Sequence, residues 1–376
     1  MRSAPGDSAL HDVTHTAGGP SAAPTPRRAW TAFAVALAAF AATTALVGAA
    51  VPSRAWLDAP LRAKMDGFAA EKDEIDVLVI GTSHLFRGVV PEVLDARLAE
   101  RGFHLRSYNL AYSGMESFEA DVILRQALAL RPARLAWVIV ELQDAQARGR
   151  YRRTLRFVGW HDLRETASAV RAAIQARAPA TARAEHVGTH VAAFAERATC
   201  LGVGPEVFRA WWGVPSNEDR EFAEAIRPGR GFLACDGAHP ARDRDERRQQ
   251  FLAEAADFAS DVKRAGAGDQ SARRLRLRSS VRHDARWLRA QIDAVRAAGA
   301  EPVYVVAPAL APRLASAEAL SGGSPAVLDF DAPDRYPELF ETRHRFDRDH
   351  LNGTGAALFS RVLADSLADH VLDRDP

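Results

Sequence analysis

The chain has 376 residues, with 49 Lys plus Arg against 48 Asp plus Glu, a formal net charge of +1 and only two cysteines. Balanced charge excludes the global basic field that non-specific nucleic-acid binding requires, and two cysteines exclude a disulfide-stapled scaffold. At 47% hydrophobic and 26% charged residues, the bulk composition is that of an ordinary folded protein.

Residues 1–28 are rich in Ala, Pro, Gly, Ser and Thr without apolar periodicity, which predicts a disordered tail. Arg27-Arg28 then precede an uncharged run over 29–51, long enough to cross about 30 Å of hydrocarbon, so a single transmembrane anchor is expected there. By the positive-inside rule the basic flank, and with it the tail, stays cytoplasmic while the remainder is exported. The competing reading is a cleaved signal peptide, since Ala49-Ala50-Val51-Pro52 matches a processing site. The run exceeds the usual signal-peptide core of about 7–15 residues, which favours the anchor. Arg27-Arg28 also resemble a twin-arginine export signal. Residues 52–74 read as a linker into the folded domain, expected at 75–376.

Ile75 to Ile80 is a β-branched apolar run that stops at Gly81-Thr82-Ser83-His84, a buried strand delivering Ser83 to its carboxyl end. Ligands bind at such ends in open α/β sheets, although Gly-Thr-Ser is also plain turn chemistry. Pro91 to Ala99 predicts a helix, with Leu94 and Leu98 on one face and Gly102 as its stop. A second strand over 105–111 carries Asn109, with Gly114 just beyond, where it serves equally as a turn residue before the helix at 117–130. The third strand is 136–142, ending in Glu141-Leu142-Gln143-Asp144.

From about 149 to 280 the pattern changes to Ala- and Arg-rich helical stretches, such as 165–176 and 244–265, read as an insertion over the sheet's active edge. Trp211 and Trp212 within it are expected to pack in a core, the alternative being a platform for a sugar ring. The arginine runs at 150–153 and 273–282 read as solvated faces. Cys200 and Cys235 either pair or remain separate thiols, and no Cys or His spacing suits a structural zinc. The α/β pattern resumes with a helix at 283–298, strands at 302–307 and 326–330, and a closing helix at 353–370.

Just before that helix, Asp347 and His350 stand three residues apart. A serine hydroxyl becomes a nucleophile when a positioned base takes its proton and a carboxylate orients that base. Ser83, His350 and Asp347 are therefore candidates for nucleophile, general base and orienter. Asp349 is expected to project away from the histidine, and Glu141 to pair with Arg87. His84, adjacent to the serine, is expected to be structural or to contact substrate, and Asn109 is a second candidate substrate contact.

Gly81-Thr82-Ser83-His84, Asn109-Leu110-Ala111-Tyr112-Ser113-Gly114 and Asp347-x-x-His350 resemble, in that order, three blocks of the SGNH (GDSL-like) hydrolase superfamily. With the anchor and Asp347-x-x-His350-Leu351-Asn352-x-x-Gly355-Ala356, the chain resembles the membrane-anchored SGNH-like proteins of bacterial envelopes. The resemblance spans roughly 75–142 and 300–370. It implies a doubly wound α/β sheet of flavodoxin-like arrangement and an inner-membrane protein with its domain on the periplasmic side. The chemistry implied is cofactor-free cleavage or transfer of acyl esters on envelope carbohydrate. It implies oxyanion donors at the backbone N–H groups of Ser83 and Gly114. Where the family has Gly-x-Asn-Asp after its third strand, this chain offers Gln143, whose longer side chain would place the third donor differently. That departure leaves open a non-catalytic binding protein, or a scaffold whose insertion contacts an envelope partner.

Overall fold

Val77, Leu78, Val79 and Ile80 are all buried and lie between Asp76 and Gly81, and they form the strand β1 (Val77–Ile80) on which the sheet is built. The computed structural model describes residues 26–143, 154–176, 178–237, 244–267, 281–310 and 325–373. The expected tail as far as residue 25, Asp144, and the arginine runs at 150–153 and 273–280 lie outside these. The other strands are β2 (Ser107–Asn109), β3 (Trp137–Glu141), β4 (Glu301–Val306) and β5 (Ala326–Asp329). All five run parallel in the order β2-β1-β3-β4-β5, with Val77 opposite Ser107 on one side and Trp137 on the other. In this order the chain leaves β1 first to one side and then to the other, so a crevice opens between the carboxyl ends of β1 and β3.

The helices before β4 are α1 (Pro26–Ala50), α2 (Ala59–Glu71), α3 (Ser83–Gly88), α4 (Pro91–Glu100) and α5 (Ser117–Ala129), followed by the insertion helices. These are α6 (Leu155–Gly159), α7 (Leu163–Gln175), α8 (Ala180–Thr199), α9 (Gly204–Trp211), α10 (Asn217–Ile226), α11 (Arg244–Ala253) and α12 (Ala255–Ala267). Helix α13 (Val281–Ala297) leads into β4, and α14 (Gly353–Leu367) closes the fold. Alternation along the strands splits the core in two. Leu78, Ile80, Val138 and Tyr304 pack with Phe68 of α2, Ile123 of α5 and Leu288 of α13. Val79, Ile139 and Val305 on the other face pack with Leu94 of α4 and Phe359 and Leu363 of α14.

Two expectations are corrected. Residues 52–74 are not a linker: Asp58 caps α2 by accepting the Leu61 N–H at 3.0 Å, and Leu61, Lys64, Met65 and Phe68 are buried in the domain. The spacing of Leu61, Met65 and Phe68 (i, i+4, i+7) is that of a helix laying one stripe on a core. Lys64 donates to the carbonyls of Ala111 at 2.5 Å and Gly231 at 2.7 Å beneath the Phe86 ring, and burial holds its amine well below the usual lysine range. Trp211 and Trp212 are not core residues; they remain 40% and 74% exposed, because α9 buries Val203 and Val207 instead. The helix expected over 244–265 also divides at Glu254 into α11 and α12.

Among the described residues no helix is long and apolar enough to cross a membrane.

The insertion returns to the sheet at Arg230-Gly231, where the Asn109 N–H donates to the Arg230 carbonyl at 2.9 Å and Arg230 reaches Asp95 at 2.6 Å. This contact covers the open edge of β2. Gly231 has φ +92°, and a Cβ there would stand 2.0 Å from the Asn109 carbonyl oxygen; Gly102, at φ +91°, has nothing within 4 Å. Gly102→Ala carries backbone strain alone, whereas Gly231→Ala must also push the insertion off β2. We expect urea denaturation to show Gly231→Ala less stable than Gly102→Ala by at least about 1 kcal/mol.

Candidate active site

The turn after β1 is fixed from β3. Glu141, the last residue of β3, has a side chain only 1% exposed. Its Oε2 accepts the Thr82 backbone N–H at 2.5 Å, and its Oε1 accepts the Thr82 hydroxyl and the His84 Nδ1–H, both at 3.0 Å. Thr82 in turn caps α3, its Oγ1 accepting the His84 N–H at 3.2 Å. Ser83 is thereby held as the first residue of α3. Glu141 does not pair with Arg87 as the sequence suggested; Arg87 donates to the carbonyls of Leu233 at 2.8 Å and Ala234 at 3.2 Å instead.

The second half of the site is a hairpin loop between Arg345 and Leu351, closed by the Phe346 N–H donating to the His350 carbonyl at 2.8 Å. Arg345 is fully buried and tethers the loop from below, donating to the carbonyls of Pro308 at 2.9 Å and Arg348 at 2.7 Å. Within the loop, Asp347 Oδ1 accepts the N–H groups of Asp349 at 2.9 Å and His350 at 2.8 Å, an Asx turn that brings carboxylate and ring together. His350 Nδ1 lies 2.9 and 3.0 Å from the two Asp347 oxygens, and its Nε2 lies 2.8 Å from Ser83 Oγ. A carboxylate only accepts, so the proton between them sits on Nδ1 and leaves Nε2 free to take the serine proton. The His84 ring stacks against that of His350 at 5.6 Å and 21°, so His84 props the His350 ring.

The structure thus brings Ser83, His350 and Asp347 into one hydrogen-bonded chain, and Asp349 contributes its backbone rather than its side chain. Burial alone raises the Asp347 carboxyl. The hydrogen bond and attraction of the His350 ring and the two loop N–H groups outweigh burial and hold it well below the usual carboxylate range. Arg247 of α11 adds an ion pair to Asp347 Oδ2, and the neighbouring Arg248 donates to the carbonyls of Arg345 and Phe346. Asp236 accepts the Gly353 N–H at 2.8 Å, at the start of α14. These insertion contacts have no sequence pattern that announces them.

The expected oxyanion donors fare differently. Ser83 opens α3, where its N–H has no intrahelical acceptor. Gly114, exposed and at φ +65°, sits in a turn closed by the Met115 N–H donating to the Tyr112 carbonyl at 3.2 Å. Gln143 is half-buried two residues beyond β3. Asn109 is not a substrate contact: fully buried, it donates to the carbonyls of Leu85 at 2.9 Å and Val89 at 2.8 Å and so ties off the far end of the serine helix. Cys200 and Cys235 are unpaired, and burial pushes the Cys235 thiol up to about 11. Among the described residues no group of three or more His, Cys, Asp or Glu is placed to hold a metal ion.

A carboxyl held below its unfolded value of about 3.9 contributes stability that is fully present above that value and is lost as pH falls through the native one. The stability difference between the wild type and Asp347→Asn, measured by urea denaturation, is therefore expected to shrink as pH is lowered from about 5 to 3. A difference that grows in acid would contradict the depressed carboxyl. No family model and no curated protein matches this chain, so the chemistry of the site is argued from its geometry.

Proposed function

We propose that this chain is a membrane-anchored SGNH-like serine esterase or O-acyltransferase acting on acyl esters of envelope carbohydrate. The observation that carries the proposal is the unbroken relay from Ser83 Oγ through His350 to Asp347. His350 Nε2 takes the Ser83 proton as Oγ attacks the ester carbonyl carbon. The N–H groups of Ser83 and Gly114, with the Gln143 amide, are the donors for the tetrahedral oxyanion. Collapse breaks the bond to the leaving alcohol, which takes the proton from His350 and leaves an acyl-Ser83 ester. His350 then deprotonates water, for hydrolysis, or a glycan hydroxyl, for transfer; the acceptor oxygen attacks the acyl carbon, and Ser83 Oγ leaves with the proton returned by His350.

The anchor reading rests on α1. From Ala29 to Ser53 the chain has no charged residue, and the 25 residues of α1 extend about 37 Å at 1.5 Å per residue. Trp30, Phe33, Val35, Leu37 and Leu46 are all more than half exposed, Trp30 and Leu46 at 72%. Exposed apolar side chains along an uncharged helical run support the reading of a lipid surround. Arg27-Arg28 on its amino-terminal side favour export of everything beyond it.

A non-catalytic relative is favoured by one departure, Glu141-Leu142-Gln143 in place of the family's Gly-x-Asn. A fluorophosphonate probe discriminates, because it reacts with an activated serine whatever the substrate. Treatment of the full chain in detergent, followed by peptide mass spectrometry, is expected to place the adduct on Ser83, with none in His350→Ala and labelling slowed by about 10⁴ in Asp347→Asn. A folded wild-type protein that stays unlabelled would overturn the enzymatic reading.

A further inference from the structure

Three rings at the end of α9 form a platform open to solvent. Phe208 stacks with Trp211 at 6.0 Å and 19° and lies against Trp212 at 5.8 Å and 30°. Leu201 and Val214 are exposed on either side of this helix, as is Arg209 within it. An exposed indole pair of this kind, backed by a half-buried Phe208, is a candidate interaction site.

The buried side of α9 identifies its neighbour. Val203 and Val207, with Cys200 and Ala210 beside them, pack on Val51, Ala55 and Trp56, the residues through which the chain leaves α1. The end of α8 is seated on the last turn of α1, where a Cβ at Gly48 would stand 2.7 Å from the Ala198 carbonyl oxygen. Arg197 completes the joint, donating to the Gly159 carbonyl at 2.9 Å with its guanidinium 4.9 Å from the centre of the Trp56 ring. The aromatic platform is therefore fastened to the point where α1 enters the domain. It packs chiefly on residues 51–56, not on the strands and helices that carry Ser83 and His350.

Resting on the reading of α1 as a membrane anchor, we infer that residues 201–214 are a membrane-seating surface, with Trp211 and Trp212 inserted among phospholipid headgroups beside the anchor. Indole rings favour the bilayer boundary because the ring body is apolar while its N–H stays wet. The segment carries one exposed charge of each sign, Glu206 and Arg209, so the seating rests on the indole rings and not on charge. Two attachments, the α1 axis and this patch, fix the tilt of the domain, where one helix alone would leave it free to swing.

The test uses the full chain reconstituted in phosphatidylethanolamine–phosphatidylglycerol vesicles whose acyl chains carry bromine at shallow or deep positions. Tryptophan emission is compared among the wild type, Trp30→Phe and the double variant Trp211→Phe/Trp212→Phe. The emission removed by the double variant is expected to be blue-shifted and quenched more by shallow than by deep bromines. If the Trp30 component is quenched while the Trp211/Trp212 component is not, the seating surface is wrong and the anchor stands. If neither is quenched and alkaline carbonate strips the chain from the vesicles, the anchor fails and the inference with it. Shielding of the Trp211/Trp212 emission from acrylamide by a soluble acetylated oligosaccharide, without bromine quenching, would make the platform a glycan site and overturn the inference.

Discussion

One buried carboxylate sets the position of everything reactive in this molecule. Glu141 ends β3 in the crevice beside β1, and its two oxygens accept three donors from Thr82 and His84. A carboxylate taken out of water is costly unless its lone pairs are filled, and here they are filled by the two residues flanking Ser83. The serine is thus located by satisfying a charge on the neighbouring strand, and the His84 ring fixed by the same charge supports the ring of His350. At the other end of the helix Asn109 gathers the carbonyls of Leu85 and Val89, so a six-residue helix that would not persist alone is clamped at both termini.

The histidine loop depends on a different charge and on a distant part of the chain. Arg345 holds it from beneath, while Arg247 and Arg248 arrive from the insertion. Asp347 therefore divides its charge between the imidazole it orients and a guanidinium. The formation of imidazolium then gains less from Asp347 than it would from a carboxylate with no other partner. The insertion is consequently part of the electrostatics of the base, in addition to covering the edge of β2.

Much of this was legible in the residues. The five strands, the helix opened by Pro91 and the strand-end place of Ser83 follow from apolar runs, stop residues and sheet logic, and the Asp347-x-x-His350 spacing is that of a single loop. The failures have physical causes. Asn109 reads as a site residue because a polar side chain at a strand tip looks available, and only the path of α3 shows it enclosed by carbonyls. Charge alone matches Glu141 with Arg87, whereas its acceptors are used by the Thr82 N–H and hydroxyl and the His84 ring, a set that no charge pattern singles out. Arg247 lies 100 positions from Asp347 in a stretch crowded with arginines, none distinguishable from another by pattern. The helix at 59–71 is visible in the spacing of Leu61, Met65 and Phe68, and is obscured by its nearness to the uncharged run over 29–51.

The placing of the insertion between β3 and β4 also decides when the reactive parts can meet. Strands β3 and β4 are adjacent in the sheet, with Trp137 opposite Glu301, yet the whole insertion is synthesised between them. Ser83 and His350 are 267 positions apart. During synthesis, the first three strands emerge with one edge of β3 unpaired, a state that is slow to resolve and open to wrong partners. Over that interval Ser83 lacks its hydrogen bond to His350. That contact forms only after β4, β5 and the histidine loop have been made, so the order of the chain keeps the two side chains apart until the sheet is complete.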